Sequence, residues 1–204
     1  MVTELYLIRH GMTEWNELGK YQGHHDLPLS APGIRQARKI AGRLQGLNIV
    51  AVYSSDLLRA VQTADPIAET RGLPVIPLKE LREVDVGLWE GKSLDEVKQR
   101  HSKLYEEWLL DTVNNPIPGG ESYAQLRDRV ILKVMELVKV HKGASLCIVS
   151  HSGPLKSILC HVLGTGPEGR RRFDLANASI SLVSYSDSRE GRVRFLNDTC
   201  HLLT

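Results

Sequence analysis

The sequence of 204 residues predicts an α/β protein of three layers, with a mostly parallel central sheet flanked by helices. One observation is that short apolar runs, such as residues 5–8, lack the polar alternation of a half-exposed strand. Strands of this kind are covered on both faces, which is typical of parallel sheets. A second observation is that segments with apolar residues at helical spacing alternate with these runs. Together the two patterns favour one sheet with helices on both faces.

The first half of the chain contains three predicted strands and two predicted helices. Ser30 offers an N-cap for the first helix, and Pro32 suits the first helical turn. Prolines place the third strand near an edge of the sheet. We expect strands at residues 5–8, 50–53 and 75–78, helices at 30–48 and 57–70, and a long loop at 12–29.

The second half of the chain is expected to add a helical insertion, two further helices and three strands. Ser93 and Glu96 form a capping box, and Leu94 to Trp108 carry apolar residues at the spacing of a single helix. Ser122 caps a longer helix. We expect the insertion at about 93–120, helices at 122–142 and 152–164, and strands at 145–150, 180–185 and 192–196, the last two joined by a polar turn with Gly191.

Composition favours a single domain that spans residues 1–204, with the insertion covering the active site. No linker rich in Pro, Gly or Ser divides the chain, and 42% apolar with 25% charged residues is typical of a soluble globular protein. The three cysteines lack a Cys-x-x-Cys spacing and indicate reduced thiols. No apolar run suits a signal peptide or a membrane span. We therefore expect a cytoplasmic protein without membrane contact.

Chemically useful side chains follow the ends of the predicted strands. Arg9 and His10 end the first strand, and His151 ends the fourth. Arg59 and Glu83 lie in segments just after two other strands. Because ligands collect at the carboxyl ends of parallel strands, we expect these five side chains to converge on one crevice.

Such a set of side chains is typical of phosphoryl transfer. A neutral imidazole attacks phosphorus, guanidinium groups hold the oxygens, and a carboxyl group protonates the leaving oxygen. From the residues alone, the acid stays open among Glu80, Glu83, Asp85 and Glu90. Gly11 is expected to turn the chain and to bring its N–H close to the bound group.

The position of Arg59 carries a further expectation. It lies in the first turn of the predicted helix at 57–70, where the helix dipole prefers anions to cations. An anion between the guanidinium and the helix terminus would relieve this conflict.

Four sequence blocks, in order, resemble the histidine phosphatase superfamily and its phosphoglycerate-mutase-like fold. They are Leu7-Ile8-Arg9-His10-Gly11 with Thr13-Glu14-Trp15-Asn16; Ser54 to Ala60; Leu81-Arg82-Glu83 with Gly87-Leu88-Trp89-Glu90-Gly91; and Val149-Ser150-His151-Ser152-Gly153. The resemblance implies a phosphohistidine at His10, a phosphate pocket completed by Arg9, Arg59 and His151, and Glu83 as proton donor. It also implies that Gly11, Asn16, Gln22, Gly23 and Ser152 bind the phosphorylated substrate, without a cofactor or metal.

Within this superfamily the chain resembles the phosphatase branch, and α-ribazole phosphatases in particular. The insertion is short, and Pro118-Gly119-Gly120-Glu121-Ser122 follows it. This implies hydrolysis of a small phosphorylated metabolite, with α-ribazole 5′-phosphate as one candidate. The alternatives are a cofactor-dependent phosphoglycerate mutase and a non-catalytic protein that binds a phosphorylated ligand. The second is disfavoured because none of the five core residues is missing.

Other motifs receive simpler interpretations. His24-His25 lacks the companion ligands of a metal site and is expected at the rim of the crevice. With a net charge of only +2, Arg170-Arg171-Arg172 is expected to be a solvated helix face rather than a nucleic-acid contact. Trp89, Tyr105 and Trp108 either cover the substrate or pack the insertion. The oligomeric state stays open, a homodimer included.

Overall fold

The computed structural model describes residues 1–186 and 191–203. In this part of the chain six strands and seven α-helices are present. The strands are β1 (Thr3–Arg9), β2 (Ile49–Ser55), β3 (Val75–Leu78), β4 (Ser145–Ser150), β5 (Ile180–Tyr185) and β6 (Gly191–Asp198). The helices are α1 (Glu14–Glu17), α2 (Ala31–Leu44), α3 (Leu58–Glu69), α4 (Leu94–Arg100), α5 (Ser102–Leu110), α6 (Tyr123–Val140) and α7 (Ser152–Val162).

The strands form one sheet in the order β3-β2-β4-β1-β5-β6. The first four are parallel, whereas β5 runs antiparallel to β1 and β6 antiparallel to β5. The predicted α/β class and mostly parallel sheet are confirmed, and so is the edge position of β3. The antiparallel β5–β6 pair confirms the closing pair of strands. Residues 187–190 of the predicted turn lie outside the described residues.

Hydrophobic side chains fill both faces of the sheet. Leu5 and Leu7 pack in the core beneath α6 and α7, whereas Tyr6 and Ile8 pack in the core beneath α2 and α3. All four are nearly inaccessible to solvent, and burial of each stabilises the fold by about 1.5–3 kcal/mol. Burial on both faces is the reason that β1 shows no polar alternation.

Two helical predictions need correction. The single helix expected from Leu94 to Trp108 is two helices, because His101 leaves the helical conformation at φ −136° and ψ 35°. The break separates two different contacts: Val97 lies in the core, and Trp108 packs edge-on against Trp89 with ring centroids 5.0 Å apart. The loop at 12–29 also contains the short helix α1, which Thr13 and Asn16 cap reciprocally.

The structure also addresses the expected reduced thiols and the expected lack of a membrane span. All three cysteines are free; Cys147 and Cys160 are buried, whereas Cys200 is exposed. Among the described residues, no helix is both long and apolar enough to cross a membrane.

Candidate active site

The carboxyl ends of β1 and β4 bring the two predicted histidines together. The strands are parallel neighbours, and Arg9 is in register with Ser150. His10 and His151 follow directly, and their ring centroids lie 5.0 Å apart. The convergence expected from strand order is therefore present in the fold.

A cavity of about 430 Å³ opens over this strand end. Eight of the ten predicted site residues line it. Of the other two, His151 is buried beside His10, and Gly11 packs closely against the backbone of Gly33. The lining consists of Arg9, His10, Asn16, Lys20, Tyr21, Gln22, Gly23, Arg59, Glu83, Val84, Val86, Trp89, Trp108, Ile117, Tyr123, Ser152, Gly153, Lys156, Arg170 and Arg171.

The hydrogen bond of His10 determines which ring nitrogen can react. Its Nδ1 lies 2.7 Å from the carbonyl oxygen of Gly11, and since a carbonyl only accepts, Nδ1 carries the proton. Nε2 therefore holds a lone pair. Burial lowers the pKa of His10 well below its usual value, and the positive charges of Arg59 and Arg9 lower it further. His10 is thus a neutral imidazole whose Nε2 carries the free lone pair.

His151 has the opposite tautomer. The Nε–H of Arg59 donates to its Nδ1 at 3.3 Å, so the proton of the neutral ring is on Nε2. That Nε2 is buried and has no hydrogen-bond partner among the described residues. Burial, followed by the charge of Arg59 and the nearby His10, lowers the pKa of His151 well below its usual value. The ring therefore presents a single N–H donor, and an anion beside His10 would satisfy it.

Arg59 is fully buried and organises the loop around it. Its Nη1 and Nη2 donate to the carbonyl oxygens of His25 and Gly23 at 2.7 and 2.8 Å. Burial lowers its pKa to about 10, which leaves it positively charged at neutral pH. At the start of α3 the Asp26 carboxylate accepts from the Leu58 N–H at 2.6 Å, so a side chain of the protein supplies negative charge at this helix terminus. The expected bound anion beside Arg59 stays a prediction.

One guanidinium nitrogen of Arg9 is hydrogen-bonded within the fold, and another has no partner among the described residues. Its Nη1 donates to the carbonyl oxygen of Leu175. Its Nε is buried without a partner among the described residues, and burial lowers its pKa. An unpaired buried donor of a cation is costly, so the group favours an anionic partner.

The structure separates Glu83 from the three competing carboxylates. Its side chain lines the cavity, and its Oε1 accepts from the N–H groups of Val84 and Gly153 at 2.9 and 3.0 Å. The others bind elsewhere: Glu90 accepts from the N–H groups of His24 and His25, Asp85 accepts from that of Gly87, and Glu80 lies 4.0 Å from Lys133.

Arg129 of α6, which sequence reasoning missed, holds the segment that carries Glu83. It donates to the carbonyl oxygens of Glu80, Arg82 and Glu83 at 2.8–2.9 Å and forms an ion pair with Glu121. Nothing in the helical periodicity distinguishes Arg129 from the other cations of α6. Only the packing of α6 against this segment shows its role.

The substrate-binding residues predicted near α1 form a hydrogen-bonded group. Thr13 Oγ1 donates to Gln22 Oε1 at 3.0 Å, and the missed Asn177 donates to Asn16 Oδ1 at 3.1 Å. The Gly11 N–H donates to Thr63 Oγ1 at 3.0 Å. This hydrogen bond corrects the expectation that the Gly11 N–H faces a bound group. A Cβ at Gly11 would lie 2.7 Å from the carbonyl oxygen of Gly33. Close backbone packing explains the glycine.

The predicted rim histidines have structural contacts. His24 Nε2 lies 2.9 Å from the carbonyl oxygen of Glu83. The ring of His25 stacks on Trp15 with centroids 4.5 Å apart. Both histidines thus pack the loop against its neighbours.

The solvated face predicted for the arginine triplet is wrong for Arg170. Arg170 is buried, donates to Thr112 through Nη2, and lies 3.9 Å above the ring of Tyr123. Arg171 is exposed but lines the cavity, and Arg172 is exposed. The fold of the insertion, which supplies Thr112, draws Arg170 out of bulk solvent.

Trp89 and the aromatic residues of the insertion pack against one another, and two of the three line the cavity. Trp89 is only 1% exposed and packs against both Tyr105 and Trp108. Trp89 and Trp108 also line the cavity, whereas Tyr105 does not. The two tryptophans therefore pack against each other and form part of the cavity wall.

Comparisons with known proteins agree with this geometry. A family model described as histidine phosphatase superfamily (branch 1) matches residues 5–199. "Phosphoserine phosphatase 1" of Hydrogenobacter thermophilus is 34% identical over 201 residues, which cover 98% of this chain and 95% of the relative.

Two solved structures extend the comparison. A phosphoserine phosphatase variant of Entamoeba histolytica in complex with phosphoserine is 31% identical with a TM-score of 0.88, over 98% of this chain and 99% of that one. The α-ribazole phosphatase of Shigella flexneri is 30% identical with a TM-score of 0.88, over 96% of each chain.

Proposed function

The chain belongs to the histidine phosphatase superfamily, and from this premise we propose that it hydrolyses a small phosphomonoester through a phosphohistidine at His10. The observation that carries the proposal is the pair of neutral histidines with opposite tautomers. One presents a lone pair and the other an N–H donor, 5.0 Å apart between ring centroids. The lone pair can attack phosphorus, and the N–H donor can stabilise the negative charge that develops on the phosphoryl oxygens.

In the first step, His10 Nε2 forms a bond to phosphorus and the bond from phosphorus to the ester oxygen breaks. Arg9, Arg59 and the Nε2–H of His151 hold the phosphoryl oxygens as negative charge develops on them. Protonated Glu83 gives its proton to the departing oxygen. The products of this step are an alcohol and the phosphohistidine.

In the second step, a water molecule replaces the alcohol. The Glu83 carboxylate takes a proton from this water, the water oxygen bonds to phosphorus, and the bond from His10 to phosphorus breaks. Inorganic phosphate leaves, and both residues return to their starting protonation states. The arginines supply the positive charge in both steps, so the proposal needs no metal.

The relatives support hydrolysis and suggest candidate substrates. Their names include phosphoserine phosphatase and α-ribazole phosphatase, so phosphoserine and α-ribazole 5′-phosphate belong in the first panel. A mutase would return the phosphoryl group to a bound product instead of releasing inorganic phosphate. Measurement of released phosphate, with phosphoglycerate isomers included in the panel, therefore separates the two activities.

The experiment compares His10→Ala with Glu83→Gln on aryl and alkyl phosphates. His10→Ala should turn over neither, because the atom that bonds to phosphorus is gone. Glu83→Gln should still release an aryl alcohol in a burst, whereas an alkyl phosphate should slow by roughly a hundredfold or more. Acid-labile phosphate trapped in this variant should map to His10.

The control is wild-type enzyme assayed in excess chelator, which should retain its activity. An active His10→Ala variant, or label on a serine or on His151, contradicts the proposal. A requirement for zinc or magnesium contradicts the metal-free mechanism.

A further inference from the structure

The cavity carries more positive charge than the phosphoryl site uses. Among the residues that the structure describes, Glu83 is the one carboxylate that lines it, against six cationic side chains: Arg9, Lys20, Arg59, Lys156, Arg170 and Arg171. The net charge of the whole chain is only +2, so the concentration is local. Arg9 and Arg59 belong to the proposed phosphoryl site, and the charge of Lys20 interacts with that of the Glu96 carboxylate. The other three require a separate explanation.

Arg170 is explained by the fold. Its Nη2 donates to the carbonyl oxygen and to Oγ1 of Thr112, and its Nη1 donates to the carbonyl oxygen of Pro167. Its guanidinium also stacks on Tyr123 at 3.9 Å. Arg170 therefore attaches the insertion to the body and has little capacity left for a ligand.

Arg171 has one anchored nitrogen and an otherwise exposed side chain. Its Nη2 donates to Thr112 Oγ1 at 2.9 Å, and it lines the cavity. The anchor holds the guanidinium at the cavity wall instead of letting it extend into solvent. A cation held in place in this way binds an anion at a lower entropic cost.

Lys156 lies on the same face of α7 as Ser152, one helical turn further along. Its side chain is 16% exposed, and its Nζ lies 3.2 Å from Asp174, whose side chain is fully exposed. An ion pair with a fully exposed carboxylate is weak, with a typical value of about 0–1 kcal/mol. A ligand carboxylate inside the cavity can therefore replace Asp174 as the partner of Lys156.

We propose that Arg171 and Lys156 bind a carboxylate on the substrate, so that the enzyme prefers short phosphorylated hydroxy acids to phosphomonoesters without a second anion. This inference rests on the proposed function, since the carboxylate belongs to the alcohol that departs from phosphorus in the proposed first step. Apolar walls from Val84, Trp108 and Ile117 reduce the screening of the contact by water. α-Ribazole 5′-phosphate, which has no carboxylate, should be the poorer substrate.

The test uses two substrates that differ only by a carboxylate, O-phosphoserine and O-phosphoethanolamine. Wild type should favour phosphoserine, and Arg171→Gln and Lys156→Met should each lower the ratio of the two kcat/KM values by about tenfold to a hundredfold. Arg172→Gln is the matched control, because Arg172 is exposed and does not line the cavity. It should leave the ratio within twofold of wild type.

The outcomes separate this inference from the proposed function. A ratio near one in wild type, or a ratio unchanged in both variants while p-nitrophenyl phosphate is still hydrolysed, overturns the carboxylate site alone. A preference for a bisphosphate over phosphoserine overturns the assignment of the second anion as a carboxylate. Failure to hydrolyse any phosphomonoester, with no phosphohistidine formed, overturns the proposed function itself.

Discussion

At the scale of single residues, the chemistry of the site depends on which nitrogen of each histidine carries a proton. The Gly11 carbonyl determines this for His10, and Arg59 Nε determines it for His151. Both rings are buried beside cations, so protonation of either would add charge to an already positive, poorly solvated site. The two residues are thus kept neutral by the same neighbours that would hold the phosphoryl group.

We expect both rings to stay neutral well below the usual histidine pKa of about 6.5. Ring ¹⁵N chemical shifts measured down to about pH 5.5 should show the Nδ1–H form of His10 and the Nε2–H form of His151, since burial lowers both pKa values. A ring that titrates near pH 6.5, or two identical tautomers, would contradict the assignment.

The lowered pKa values of His10 and His151 also determine how the stability of the fold changes with pH. In the unfolded chain both histidines have ordinary pKa values and bind protons first as the pH falls. The unfolded state then carries more protons, so this contribution to stability is lost as the pH falls below about 6.5.

At the scale of elements, the start of α7 and the segment after β3 meet through Glu83 and Gly153. The Gly153 N–H donates to Glu83 Oε1 at 3.0 Å, and a Cβ at this glycine would lie 2.3 Å from that oxygen. Glycine here allows the carboxylate to approach the helix terminus. Arg129 of α6 holds the backbone of Glu83 from another side.

Gly153→Ala should therefore displace the proposed acid without changing its chemistry. We expect alkyl phosphate hydrolysis to fall by roughly a hundredfold, the usual contribution of a general acid, with a smaller effect on the burst from an aryl phosphate. Crowding should also cost about 1–3 kcal/mol of stability. Steady-state and burst kinetics, with urea unfolding, measure these effects.

The matched control is Gly42→Ala in α2, where an added Cβ meets nothing within 4 Å. This substitution should raise the free energy of unfolding by about 0.5–1 kcal/mol through helix propensity, with unchanged activity. Full alkyl phosphatase activity in Gly153→Ala would show that the carboxylate need not occupy its observed position.

At the scale of the whole molecule, the sheet collects cations that the sequence distributes over more than 160 residues. Arg9 follows the first strand, Arg59 lies in α3, and Arg171 lies near the end of the chain, yet all line one cavity. Bringing buried cations together costs free energy, since like charges repel and desolvation penalises each of them. A bound anion recovers part of this cost.

Inorganic phosphate should therefore stabilise the protein against heat. At about 100 times its Kd, a ligand that binds only the folded state contributes about 2.7 kcal/mol, which corresponds to roughly 5–10 °C in Tm for a domain of this size. Differential scanning fluorimetry with chloride at matched ionic strength as the control measures the shift. An equal shift in phosphate and chloride would indicate general screening and contradict a specific phosphoryl site.

The sequence by itself determined the layers of the fold and the strand ends that carry the site. Uniformly apolar strands require cover on both faces, so β1 and β4 had to lie inside a parallel sheet. Since parallel strands end at the same edge, His10 and His151 were expected to converge on one crevice, and the neighbouring positions of β1 and β4 in the sheet bring their rings together. Capping residues such as Ser93 and Ser122 fix helix starts locally, and those starts were predictable for the same reason.

Only the tertiary structure decided what depends on contacts between distant segments. The break at His101, the position of Glu83 in the cavity wall and the contacts of Arg129 with the backbone of that segment each require packing that no local pattern encodes. The arginine triplet shows the reason: it has the pattern of a solvated face, but Thr112 and Tyr123 draw Arg170 into the interior. Side-chain hydrogen bonds between segments far apart in sequence determine such positions, and a single sequence does not show them.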